Sequence, residues 1–187
     1  MYKEATPTAD ELVGALNQLR VHFLSGEARQ AKLSPAQLIA GLAMQPNTRL
    51  RLALIPLLLS HPNFAPDALE AAGGLSGTVA LNLKLFYTAA MLLQNRYDQQ
   101  LDKLLGKRDP LPDWFSQELG ISLTGSADCE ASSFDKLRTS LWDKRLKELG
   151  ERHKALLGVK ANWAGTYHHG AKRLIKRLRC EIEWGVR

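Results

Sequence analysis

Apolar residues recur along most of this chain at steps of three and four, the period of a helix with one covered face. In "TADELVGALNQLRVHF", Thr8 and Glu11 form a T-x-x-E capping box, and Leu12, Leu16, Leu19 and Phe23 follow at helical spacing. That pattern predicts a first helix over residues 8–24, closed near Gly26. "SPAQLIAGLAMQ" puts Ser34 at an N-cap, Pro35 at the first helical position and Gln37 three past the cap, with Pro46 as the stop. "NTRLRLALIPLLLSHP" restarts from Asn47 or Thr48 and is apolar on nearly every side after Arg51, which places it in a core. Pro56 lacks an N–H and its ring clashes with the preceding turn, so it must kink this helix or end a shorter one. Ala65, Pro66 and Asp67 open a small helix that Gly73 and Gly74 close.

A long helix is expected from Val79 to Leu105, apolar all round through Phe86, Ala89 and Leu93 and amphipathic through Tyr97, Leu101 and Leu104. "GKRDPLPDWFSQELG" predicts a turn and then a short helix from Pro112, and "ISLTGSADCEASS" is the one long loop-like stretch. Ser132 or Ser133 caps the next helix, whose covered side carries Leu137, Leu141, Trp142, Leu146 and Leu149. Asp143 with Lys147 and Glu148 with Arg152 have the i,i+4 spacing of ion pairs, each worth about a few tenths of a kcal/mol. Gly158 breaks that helix, and Asn162 or Thr166 begins the last one.

No stretch alternates with period two, so the expected fold is all-α: a helical bundle around a long central helix. Residues 35–44 and 48–60 resemble one hairpin of a HEAT-type repeat, and a single copy implies a layer on the bundle, not a solenoid. The chain reads as one domain in three parts: an N-terminal layer over 1–72, the central helix and loop over 73–131, and a basic helical pair over 132–187.

Charge changes this picture at one end. The net charge is +6, but residues 136–187 hold fourteen Lys and Arg against five Asp and Glu, whereas residues 1–135 hold eleven against fourteen. An anionic partner for the C-terminal module, or an attraction to the acidic stretch 106–135, would follow from that asymmetry. On a helical wheel, Ala164, Tyr167, Ala171, Leu174, Ile175, Leu178 and Ile182 share one arc. The opposite arc holds Lys172, Arg173, Lys176, Arg177 and Arg179 with His169 in its middle, Cys180 and Trp184 on the same side, and Glu183 as its one compensating acid. A solvated basic face and a site for nucleic acid or acidic protein both fit this arc. No zinc finger, RNP aromatic motif or helix-turn-helix accompanies it.

Other candidate chemistry weakens on inspection. His168 and His169 are adjacent and so diverge by about 100° on a helix, which points to no metal site, and places His168 at the border of the covered arc. Asp109, Asp113 and Glu118 could pair as acid and base, but Pro112 and Asp113 suit a helix start, with Trp114 and Phe115 as plugs. "GGLSGT" lacks the Lys-Ser or Lys-Thr ending of a P-loop. Seven residues lie between Arg145 and His153, outside the four to six of helical HEPN-type ribonucleases. No cofactor is implied. Cys129 and Cys180 form no CxxC pattern, and the N-terminus has no secretory signal, so a cytoplasmic protein with reduced thiols is expected. The greasiest runs are too short or too polar to cross a membrane.

At "RLRLALIPLLLSHP", "LKLFYTAAMLLQ", "LPDWFSQELG" and "ERHKALLGVKANWAGTY" the chain resembles a group of uncharacterised bacterial all-helical proteins associated with nucleotidyltransferase-like toxins. The resemblance covers most of residues 45–178 and rests on Leu, Pro, Trp and Asn-Trp packing patterns. It implies an antitoxin-like or regulatory partner role and transfers no catalytic residue. The expectation is therefore a non-enzymatic binding protein with a protein partner, with nucleic-acid binding through the basic helix as the alternative. Its anion-facing residues would be Lys172, Arg173, Lys176, Arg177, Arg179, His169 and Trp184.

Overall fold

The computed structural model describes residues 6–22, 29–123 and 134–186, with side chains from residue 139 onward in the last stretch. The expected Phe23 contact, Gly26, Cys129 and the Ser132 or Ser133 cap lie outside the described residues. No strand occurs among those described, and the fold is an all-α bundle.

Helix α1 spans Ala9–Gln18 and opens on the expected Thr8–Glu11 capping box, but it ends well before residue 24. Arg20 adopts φ 57°, Val21 N–H reaches Leu16 C=O at 2.9 Å and Arg20 N–H reaches Asn17 C=O at 3.0 Å. This is a Schellman stop with arginine where glycine is usual. Val21 is thereby swung into the core, which offsets the left-handed backbone of Arg20. Helix α2, Pro35–Met44, has the Ser34–Gln37 capping box in full.

Helices α3 (Thr48–Leu52) and α4 (Leu54–Ser60) replace the continuous run. The break falls at Ala53, beside Leu52, the residue four before Pro56 whose carbonyl a proline ring would strike. A 3-10 turn, Pro62–Phe64, leads into α5, Ala65–Gly74. The long helix is also divided: α6 runs Gly77–Arg96, α7 runs Asp98–Leu105, and Tyr97 between them leaves helical geometry at φ −115°, ψ 17°. The bend turns the Tyr97 ring onto His168 and lets α7 follow the last helix.

Helix α6 is the pillar: every side chain from Leu85 to Leu93 is buried, among α2, α4, α5, α8 and α9. Helices α8, Phe134–Leu157, and α9, Trp163–Glu183, form a hairpin through Gly158 (φ 68°) and the Asn162 cap, whose Oδ1 accepts the Gly165 N–H at 3.0 Å. Helix α4 is sandwiched between α6 and α9, and Gly170 lets α9 approach it: a Cβ there would stand 3.3 Å from Leu52 Cδ1 and 3.5 Å from Ile55.

The segment after α7 forms turns, not the expected helix from Pro112. It is fastened to α6 instead. Tyr87 Oη donates to Pro112 C=O at 2.9 Å, Leu111 N–H donates to Gln94 Oε1 at 2.6 Å, and Trp114 stacks on Tyr87 at 5.6 Å. Two of the three candidate carboxylates have structural partners. Asp113 accepts the Ser116 N–H at 3.1 Å, and Glu118 pairs with Lys84 at 2.5 Å.

Candidate functional site

The covered arc of α9 is as the sequence indicates, from Tyr167 through Ala171, Leu174 and Ile175 to Leu178, with Trp163 and Gly170 joining it. Ile182 departs from expectation: it is 44% exposed, since no described residue buries the last turn on that side. The helix is a surface rod with one buried flank.

The five cations do not form one uniform face. Arg177 Nε pairs with Glu181 at 2.7 Å, and its guanidinium also donates to the His22 carbonyl, so this arginine pins α9 to the segment after α1. Glu181, and not only Glu183, is therefore a compensating acid. Arg173 lines a small recess with Val21, His22 and Pro56 on that same side. The wheel could not show this division, because it depends on which neighbour packs along each edge.

Lys172, Lys176 and Arg179 face the other way, along a trough between α7 and α9. Lys172 and Lys176 are exposed, and none of the three has a carboxylate within ion-pair distance among the described residues. Arg179 donates to Gln100 Oε1 at 3.1 Å, which ties it to α7. One basin of the trough, about 540 Å³, has Ile175 and Cys180 on its floor, with Glu183 at its far end. A second basin of about 520 Å³ continues past Lys172 to Arg96, Asp143 and His169. Tyr97, Gln100 and Lys172 line both, so the two make one continuous trough.

A hydrogen-bonded row closes the second basin. Arg96 Nε donates to Asp143 Oδ1 at 2.8 Å, the same oxygen lies 3.4 Å from His168 Nε2, and His168 Nδ1 is 3.0 Å from Tyr97 Oη. Asp143 thus reaches across to α6 and α9 and does not take the expected Lys147 partner. Glu148 likewise pairs with Arg145 at 3.2 Å, and Arg152 Nε donates to Leu119 C=O at 3.0 Å. Burial holds the His168 imidazole below its usual range, with Lys172 and Arg96 adding to the effect and Asp143 opposing it. Burial raises the Tyr97 phenol.

His169 lies exposed at the rim, one turn before Arg173, while His168 faces inward, so the two imidazoles point apart as adjacent helical residues must. No group of three or more His, Cys, Asp or Glu side chains that could hold a metal occurs among the described residues. Trp184 stands at the C-cap of α9, 76% exposed, with Val186 67% exposed beside it. His153, the imidazole a helical ribonuclease would present, is 1% exposed and hydrogen-bonded to Tyr167 at 2.5 Å.

Arg96, Gln100 and Asp143 are members of this site that sequence reasoning missed. They come from three separate helices, and no local spacing marks them. No described helix is long and apolar enough to cross a membrane. Comparison with protein-family models, curated proteins and solved structures finds no match to this chain.

Proposed function

We propose that this chain is a non-enzymatic, cytoplasmic binding protein that acts as an antitoxin-like or regulatory partner of another protein, with nucleotidyltransferase-type toxins as the partner class its resemblance implies. The partner surface that suits it is acidic with an apolar spot. One observation carries this reading: Lys172, Lys176 and Arg179 have no carboxylate within ion-pair distance among the described residues, and they run along α9 toward its C-terminal end, where Ile182, Trp184 and Val186 are left exposed. Trp and Arg are enriched among interface anchors, and unpaired long cations steer an acidic partner into register.

The test is co-expression with a nucleotidyltransferase-type toxin from the same genome. The wild-type chain should relieve growth arrest and co-purify with the toxin. A Lys172→Glu, Lys176→Glu, Arg179→Glu triple variant with unchanged thermal melting should do neither. Full relief by the triple variant would remove this face from the function.

A second reading, nucleic-acid binding, draws on the row itself. Lys172 and Lys176 are separated by about 6 Å along the helix axis and Arg179 by about 4.5 Å more, at 1.5 Å per residue. Three such cations could neutralise neighbouring phosphates of one strand, giving a log–log salt slope of about −2. Changing Lys172, Arg173, Lys176, Arg177 and Arg179 to Ala should weaken RNA or DNA retention and flatten that slope. Because Arg173 and Arg177 turn toward α1, the other three should account for nearly all of the effect. Retention that the five-fold variant leaves unchanged would refute this reading.

A further inference from the structure

The Arg96 end of the trough, of which the partner reading uses only Lys172, has its own chemistry. Its polar lining is rich in donors and poor in acceptors. Arg96 meets Asp143 only through Nε, and its guanidinium carbon lies 5.0 Å from the centre of the Tyr97 ring. A salt bridge on one edge and an aromatic ring beside it therefore hold this guanidinium, while its two Nη groups have no hydrogen-bond acceptor among the described residues. Such a fixed fork is pre-organised for a tetrahedral oxyanion. Gln100 gives its Oε1 to Arg179, which leaves its amide N–H₂ to donate. Lys172 supplies an exposed ammonium to the same lining, and His169 a ring N–H at the rim. The one acidic group, Asp143, already has an oxygen shared between Arg96 and His168.

Beyond Lys172 the lining changes character. Ile175, Cys180 and the Tyr97 ring make a floor that is mostly apolar, with Lys176 and Arg179 above it. Over the whole trough four permanent cations, Arg96, Lys172, Lys176 and Arg179, stand against two carboxylates, Asp143 and Glu183. Each basin falls in the usual size range of small-molecule sites, roughly 300 to 1,000 Å³. One anionic head and one less polar body fit this sequence of surfaces better than a bare ion does.

We propose that the trough binds a small organic phosphate ester of nucleotide size, its phosphate between Arg96, Gln100 and Lys172 and its body over Ile175 and the Tyr97 ring. This goes beyond the docking of a protein partner, and the two are separable. Arg96 lies on α6, away from Trp184 and from the Lys176–Arg179 stretch, so an Arg96 variant should keep partner docking.

Calorimetry with adenosine monophosphate, inorganic phosphate and adenosine tests the proposal, with NMR of the His168 and His169 ring protons as the site-specific readout. Adenosine monophosphate should bind at least tenfold tighter than either fragment and shift both rings. Arg96→Gln and Lys172→Ala should each weaken it tenfold or more, while Lys147→Ala, an exposed change on α8 outside the trough, should leave it unaltered. Lys172→Ala removes an exposed side chain, so it reports on binding even if Arg96→Gln perturbs the fold. Binding no tighter than that of adenosine, equal affinity for inorganic phosphate, or wild-type affinity in the Lys172→Ala protein would each overturn the assignment.

Discussion

The imidazole of His153 lies flat on the indole of Trp163, ring centroids 3.5 Å apart and planes 7° from parallel. Phe86 from α6 meets both rings edge-on, at 5.7 and 6.3 Å, and Tyr167 fills the remaining side. This aromatic cluster fastens the α8–α9 hairpin to the pillar. It also places a titratable group where water cannot stabilise its charge.

Burial, with Arg51 adding to it, pushes His153 down to about 3. In the unfolded chain the same group should titrate near its ordinary value of about 6.5. The unfolded state therefore binds the extra proton between those two values. The stability this neutral imidazole confers is complete above pH 6.5 and is lost as pH falls toward 3. His22 and His168, also held low mainly by burial, act in the same direction. Urea unfolding from pH 7 to pH 4.5 should show this acid slope. A His153→Gln variant should be weaker at pH 7 by about 1–3 kcal/mol, with a shallower slope. An unchanged slope would show that His153 is not the group responsible.

Gly170 sets how closely α9 can lie on α4. Gly170→Ala needs only a few tenths of an ångström of adjustment at Leu52, but Gly170→Leu must force the two helices apart. The leucine variant should lose about 3 kcal/mol or more, in the range of severe overpacking, and the alanine variant about 1 kcal/mol or less. Chemical denaturation of the pair measures the difference, and similar midpoints would contradict the close approach.

Trp184 has little to do for the fold, because three quarters of it faces solvent and it caps α9 through its backbone alone. Trp184→Ala should alter unfolding free energy by less than about 0.5 kcal/mol. In the co-expression test of the proposed function, toxin relief and co-purification should nevertheless weaken, because the proposed docking surface includes this exposed indole. A loss of stability with intact partner binding would reverse this assignment.

Asp143 is the one negative neighbour that favours protonation of His168. Asp143→Asn should therefore move the His168 titration, followed by NMR, to still lower pH. The Arg96–Asp143 pair has an exposed carboxylate, so its loss should cost no more than about 1 kcal/mol of stability. A His168 titration that stays in place or rises would show that the carboxylate does not act on this ring.

Much of the architecture could be read along the chain because it is decided locally. The Thr8–Glu11 and Ser34–Gln37 boxes, the Asn47 and Asn162 caps and the Gly158 stop each satisfy orphan backbone groups with residues at most a few positions away. The buried flank of α9 was legible for the same reason, since its period of 3.6 is written into consecutive residues. The breaks were harder. Arg20 takes a left-handed turn that no glycine announces, and Tyr97 bends the long helix because its ring finds His168, seventy-one positions further along the sequence.

The fate of the charges belongs to the tertiary structure. Sequence placed five cations on one arc, but only packing decided that Arg177 would meet Glu181 and the His22 carbonyl while Lys172, Lys176 and Arg179 would border a trough with α7. Likewise Asp143 left its expected Lys147 for Arg96, because a long side chain on a neighbouring helix reaches it at 2.8 Å. Helical periodicity fixes which way a side chain points, whereas its partner depends on which other helix the core brings alongside.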